Sequence, residues 1–154
     1  MPRRTVTVSH IFESVRLQPD NRVDLDQLPT GDLLYTARSL FKKLPRSALV
    51  DAEHERYVSI EKMTPAGRSL LIELSAGPLG EAGEVRDSST HEVQHEYDKQ
   101  AARTVSLRAM LVVPKRSRSA LFFVEHGSSA AGGTALLVQL MRALRKWHPG
   151  LTAR

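Results

Sequence analysis

Three absences limit what this chain can be. It has no cysteine among its 154 residues, which excludes disulfides, thiolate metal sites and a cysteine nucleophile. No apolar run approaches the roughly 20 residues that span a bilayer, because the longest candidates, 109–113 and 120–124, are only strand-sized. The basic N-terminus is followed by no apolar segment, so no secretory signal is expected. We therefore expect a cytoplasmic protein with no membrane partner.

Aromatic residues are also scarce. They make up 5% of the chain, which is too few for the interleaved basic and aromatic residues of single-stranded nucleic-acid binders. Apolar residues reach 41% and charged residues 25%, proportions typical of a globular domain. The length predicts a single domain over residues 1–154. We expect this domain to be either a complete small protein or the N-terminal piece of a longer one.

Charge is distributed unevenly along the chain. Residues 1–48 carry 8 basic and 5 acidic side chains, a net charge of +3. Residues 49–98 carry 4 and 11, a net charge of −7, whereas residues 99–154 carry 10 and 1, a net charge of +9. A basic C-terminal third suggests an acidic partner, and an acidic middle offers self-association as a second explanation. Segregation on a solvated surface is the simplest alternative.

The N-terminal segment alternates with period two. Val6, Val8, His10 and Phe12 fall on one side of Thr5–Leu17, which predicts a strand with that side largely buried. His10 would then be a hydrogen-bonded core residue. The following residues 18–21 are typical of a turn, because proline fixes φ and Asp and Asn tolerate turn conformations.

Two segments have the apolar period of a helix. The first begins after Pro29 with Thr30 as its N-cap and ends at Pro45. The second covers Thr134–Trp147, with Thr134 as the cap and Trp147 closing the apolar stripe. Both helices are expected to bury one face against a sheet.

Four further strands are predicted in two pairs. Arg56–Met63 and Ser69–Ser75 flank a short loop, and so do Ser106–Val113 and Ala120–His126. Short loops favour antiparallel neighbours. We therefore predict an α+β fold, an antiparallel sheet built from hairpins with two main helices packed on one face.

A literal match to the zinc-protease motif H-E-x-x-H occurs at His91-Glu92-Val93-Gln94-His95. On a helix, the two histidines would bind zinc and Glu92 would act as general base, which makes a zinc-dependent hydrolase the alternative function. The segment alternates with period two, however, and predicts a strand. Strand residues four apart are separated by roughly 13 Å and cannot share an ion. We therefore expect no metal and no cofactor.

A glycine-rich loop at Gly127–Gly133 resembles the phosphate-binding P-loop in its spacing, but Gly133 stands where the motif requires lysine. The preceding strand is predicted in a hairpin, whereas a P-loop follows a strand of a parallel sheet. A flexible connection is therefore favoured over a nucleotide site.

The remaining functional signal is the basic C-terminal third. Three basic residues are predicted in a hairpin turn and three on the exposed side of the last helix, near one another. No recognition motif for specific bases is present. We expect a non-enzymatic binding or accessory domain that contacts an acidic partner such as the nucleic-acid backbone. The candidate binding residues are Lys115, Arg116, Arg118, Arg142, Arg145 and Lys146.

Overall fold

A computed structural model describes residues 4–15, 18–127 and 132–154 of the chain. Alternating apolar residues form its strands, and two amphipathic segments form its helices. The helices are α1 (Leu33–Lys43) and α2 (Gly133–Leu144), with a short 3-10 helix at Arg46–Leu49. The strands are β1 (Thr5–Val15), β2 (Gln18–Arg22), β3 (Arg56–Ala66), β4 (Ser69–Pro78), β5 (Gly83–Arg86), β6 (Val93–Tyr97), β7 (Val105–Val112), β8 (Ala120–His126) and β9 (Leu151–Ala153).

The main sheet is antiparallel, with the order β2-β1-β8-β7-β4-β3, and β9 also pairs with β1. Both predicted hairpins are present, as β3–β4 and β7–β8. The predicted α+β fold is therefore confirmed. Strands β5 and β6 form a separate two-stranded sheet, which we call the arm. No helix in the described residues is long and apolar enough to cross a membrane.

The core lies between the two helices and one face of the sheet, which we call the covered face. Phe122 on β8, Leu111 on β7 and Leu70 on β4 are almost fully buried and lie opposite one another in register. Leu33 of α1 and Leu140 of α2 are fully buried in the same cluster. Hydrophobic burial on this side therefore holds the helices to the sheet.

The predicted burial of the first strand is wrong. The structure exposes Val6 by 62% and Val8 by 43%, and His10 is exposed as well. The helices cover the opposite side of β1, where Ile11 is fully buried. Phe12 is buried by contacts with guanidinium groups, because Arg22 and Arg154 lie 4.1 and 5.6 Å from its ring centre.

The start of α1 also differs from the prediction. Asp32, rather than Thr30, is the N-cap, and its carboxylate accepts a hydrogen bond from the Leu34 amide at 3.0 Å. The same carboxylate pairs with both terminal nitrogens of Arg68, whose Nε donates to the Val113 carbonyl at 2.7 Å. Hydrogen bonding to Asp32 raises the pKa of Arg68 above its ordinary value. This contact joins the helix start to the ends of two strands.

The chain also forms short strands that the sequence does not indicate. The predicted turn at 18–21 is strand β2, which pairs with β1 through an irregular register. Helix α2 ends at Leu144, so Trp147 lies beyond it and is 74% exposed rather than packed. Residues 151–153 then pair with β1 as β9.

Candidate functional site

The basic side chains predicted to bind an acidic partner lie at two places, and all of them are exposed. The turn cluster occupies the loop between β7 and β8, and the helix cluster occupies the last turn of α2 and the residues after it. Within the described residues, no hydrogen bond or ion pair joins the two clusters. Their members are Lys115, Arg116 and Arg118 in the turn cluster, and Arg142, Arg145 and Lys146 in the helix cluster.

Carboxylates from a distant segment lie beside the turn cluster. Asp26 accepts a hydrogen bond from the Arg116 amide at 2.9 Å, and Arg118 Nε lies 3.7 Å from Asp24 Oδ1. The Arg118–Asp24 pair is exposed, so it contributes little stability, of the order of 0–1 kcal/mol. The guanidinium of Arg116 and the ammonium of Lys115 form no ion pair within the described part of the chain.

No carboxylate within the described residues forms an ion pair with the helix cluster. Arg145 Nε donates to the Leu151 carbonyl at 3.2 Å, an interaction that places it against β9. Across residues 4–15, 18–127 and 132–154, Arg142 and Lys146 have no ion-pair partner. Cations near the end of a helix are favoured by the negative end of its dipole. Both clusters thus present charge that the described chain does not neutralise.

The H-E-x-x-H segment forms a turn followed by a strand. The predicted strand is confirmed at β6, which contains His95, whereas His91 lies in the preceding turn with φ of +60°. The helix that would bring both histidines to one zinc ion is not formed. No group of three or more His, Asp or Glu side chains suited to a metal occurs in the part of the chain that the structure describes.

A local hydrogen-bond network at Asp87 explains this turn. Its Oδ1 accepts hydrogen bonds from the Ser89 hydroxyl, from the Ser89 amide at 2.8 Å and from the Thr90 amide at 3.0 Å. These bonds, that of the Ser89 hydroxyl above all, lower the pKa of Asp87 to about 2. The Asp87 carbonyl accepts from the His91 amide, so the motif residues are held at the tip of the arm.

The glycine loop has a packing role where the structure describes it; its residues 128–131 lie outside the described residues. A Cβ on Gly132 would lie 2.6 Å from the Ala76 Cβ, and one on Gly133 would lie 2.5 Å from a Val124 methyl group. Only glycine permits this close approach of α2 to the sheet. Gly132 is the N-cap, so the predicted cap at Thr134 is wrong, and β8 is antiparallel to both of its neighbours.

A buried polar cluster joins three distant segments. His148 is 2% exposed, its Nε2 lies 2.6 Å from Thr30 Oγ1, and its Nδ1 is hydrogen-bonded to Glu13 Oε1 at 3.3 Å and lies 3.1 Å from Glu13 Oε2. Hydroxyl, imidazole and carboxylate follow one another in the order of an acyl-transfer triad. Sequence reasoning missed this cluster, because Thr30 and Glu13 are 118 and 135 residues away from His148.

The surroundings of this cluster favour a structural role. A triad needs free amide donors beside the nucleophile to stabilise an oxyanion. The nearby amides of Gly31 and Leu33 already donate to the carbonyls of Leu28 and Leu25, and the Leu34 amide donates to Asp32. His148 therefore satisfies its two ring nitrogens and links the segment after α2 to β1 and to the loop before α1.

A cavity of about 490 Å³ opens where β3 and β4 end beside Gly127 and Gly132. Its lining includes His54, Glu81 and His126. Among the described side chains, none of the buried polar atoms without a partner lies in this lining. The cavity therefore holds no buried, unpartnered polar atom that would point to a specific ligand.

Comparisons of the chain with protein-family models, with curated proteins and with solved structures found no match. All six side chains of the two basic clusters are exposed, and within the described residues only Arg118 forms an ion pair.

Proposed function

We propose that this chain is a non-enzymatic binding domain whose two basic clusters contact the phosphate backbone of nucleic acid. The observation that supports the proposal is the exposure of all six side chains. Five of them form no ion pair within the described residues: Lys115, Arg116, Arg142, Arg145 and Lys146. Exposed and unpaired cations are the groups that exchange counterions for phosphates.

The expected binding has little sequence preference. Side chains that contact phosphates position a protein on the duplex but do not distinguish bases. If all six side chains contact phosphates, the slope of log K against log salt concentration is about −5. Asp24 and Asp26 beside the turn cluster reduce its potential, so the helix cluster is expected to contribute more to affinity.

The test is fluorescence anisotropy with labelled duplexes of two unrelated sequences, measured between about 50 and 200 mM salt. Arg142→Glu and Arg116→Glu should each weaken binding of both sequences by about tenfold at the lower salt concentration, with the larger loss for Arg142→Glu. Lys99→Glu is the matched control, because it makes the same charge change at an exposed residue outside both clusters.

Two outcomes contradict the proposal. One is the absence of binding by the unaltered chain at about 50 mM salt, the condition that most favours counterion release. The other is an equal loss of affinity in Lys99→Glu, which would mean that net charge rather than either cluster controls binding.

A further inference from the structure

The main sheet has a second face that neither helix covers. We call it the open face. On β1 it carries Val6, Val8 and His10, all of them exposed. Residues of the covered face alternate with those of the open face on every central strand, so the open face can be derived from the strand register.

Apolar side chains form a row across the open face. Val8 lies opposite Phe123, Phe123 lies opposite Met110, and Met110 lies opposite Leu71, so the row crosses β1, β8, β7 and β4. The last three side chains of this row are half-buried. Leu121 and Val112, also half-buried, extend the apolar surface by one further row. Contiguous apolar surface of this kind marks an interaction site.

A second row on the same face alternates in charge. Glu73 lies opposite Lys62 on one side and opposite Arg108 on the other. Glu125 follows Val124, which pairs with Ala109, so the next pair in that register is Glu125 with Arg108. The row is therefore negative on β8, positive on β7, negative on β4 and positive on β3. Within the described residues Glu125 pairs with Arg4, whereas Arg108, Glu73 and Lys62 form no ion pair.

When a row of four alternating charges faces a reversed copy of itself, each charge lies opposite a charge of the other sign. A two-fold axis parallel to the strands, between β7 and β4, reverses the row on a second copy facing the first. Arg108 then faces the second copy's Glu73, and Glu125 faces the second copy's Lys62. The same axis places Met110 against the second copy's Leu71. A two-fold axis that ran along a strand, rather than between two strands, would instead place charges of the same sign opposite each other.

We infer that the open face binds the open face of a second copy of this chain, in a face-to-face two-fold dimer. Two-fold homodimers with one self-complementary surface are the commonest oligomers. About this axis the strands β8, β7, β4 and β3 overlap, and four strands about 4.8 Å apart with three rows of side chains about 6.6 Å apart give a flat area of roughly 400 Å². This is about half of the approximately 800 Å² per partner of a standard interface, so the expected dimer is a weak one that depends on its charge complementarity.

The test is sedimentation equilibrium of the full chain and its charge variants. Arg108→Glu places two like-charged pairs in the symmetric interface and should raise the dimer dissociation constant at least about tenfold. The double variant Arg108→Glu with Glu73→Arg restores opposite charges at both pairs, so it should recover most of that loss. Lys42→Glu makes the same charge change on an exposed residue of α1, outside both basic clusters and the open face, and should leave the dissociation constant unchanged.

Thermal unfolding of each variant separates lost association from lost folding. Met110→Lys, a second variant on the apolar row, should also weaken the dimer while keeping the far-ultraviolet circular dichroism of the unaltered chain. A chain that remains monomeric at about 100 µM overturns the inference. So does a dimer that Arg108→Glu leaves intact, or one that the double variant fails to restore. Nucleic-acid binding is independent of these outcomes, because its clusters lie outside the open face.

Discussion

The two faces of the main sheet differ in what covers them, because both helices pack on the covered face and neither packs on the open face. Phe122 and Phe123 are neighbours on β8, yet Phe122 is fully buried beneath the helices whereas Phe123 is half-buried on the open face. The first contributes to folding of the single chain. The second is available to a partner, so the same residue type has two different uses within one strand.

The sharpest test of this difference is the pair Phe122→Ala and Phe123→Ala. Phe122→Ala removes a packed ring and leaves a cavity, so it should lower the free energy of unfolding by about 3–5 kcal/mol. Phe123→Ala should cost less, about 1–2 kcal/mol in dilute monomer, because its ring is only half-buried on the open face. Denaturant titration measures both. Equal losses would mean that the open face is as well packed as the covered face.

A smaller effect is expected where α2 meets the covered face. In Gly133→Ala the new methyl group would lie within 2.5 Å of Val124, so the helix start must move. We expect a loss of about 1–3 kcal/mol from overpacking, partly offset by the helix preference of alanine. Gly127→Ala is the control, because its Cβ would meet Leu107 at an ordinary 3.6 Å. A more stable Gly133→Ala protein would contradict this close packing.

The smallest effect concerns the arm, which lies outside the core. Hydrogen bonds lower the pKa of Asp87 to about 2, so the turn is favoured above the ordinary aspartate pKa of about 4. This contribution should be lost as the pH falls from about 4 through 2. A nuclear magnetic resonance titration of the Ser89 and Thr90 amides should therefore show a midpoint near pH 2. A midpoint near 4 would show that these bonds do not favour the carboxylate.

Much of the fold could be predicted because local patterns determine it. Strand β8 has the predicted bounds, and α1 ends just before Pro45 as expected. The side of β1 that faces the core could not be predicted, because the elements that decide it come from elsewhere in the chain. Strand β9 forms because β1 has an edge with which it can pair. Its three residues are too few to show the alternation from which a strand is predicted.

The candidate site was predictable only in part. Runs of Lys and Arg in a turn and on a helix indicate exposed charge from sequence alone. The carboxylate of Asp24 beside Arg118 depends on tertiary contact, and so does the pairing of His148 with Glu13. The arm illustrates the opposite case, because the hydrogen bonds of Asp87 are local and yet exclude the helix that the H-E-x-x-H motif requires.

The position of β1 in the sheet has a consequence for the order of folding. Only the end of β1 pairs with the adjacent β2, whereas its other neighbours β8 and β9 begin at residues 120 and 151, so most of β1 is synthesised early but pairs last. Contacts this distant in sequence require closure of long loops, which slows folding. During translation the hairpin β3–β4 can form first, while the segment with Val6 and Val8 remains unpaired and exposed. Chaperone dependence should therefore be greatest before β8 leaves the ribosome.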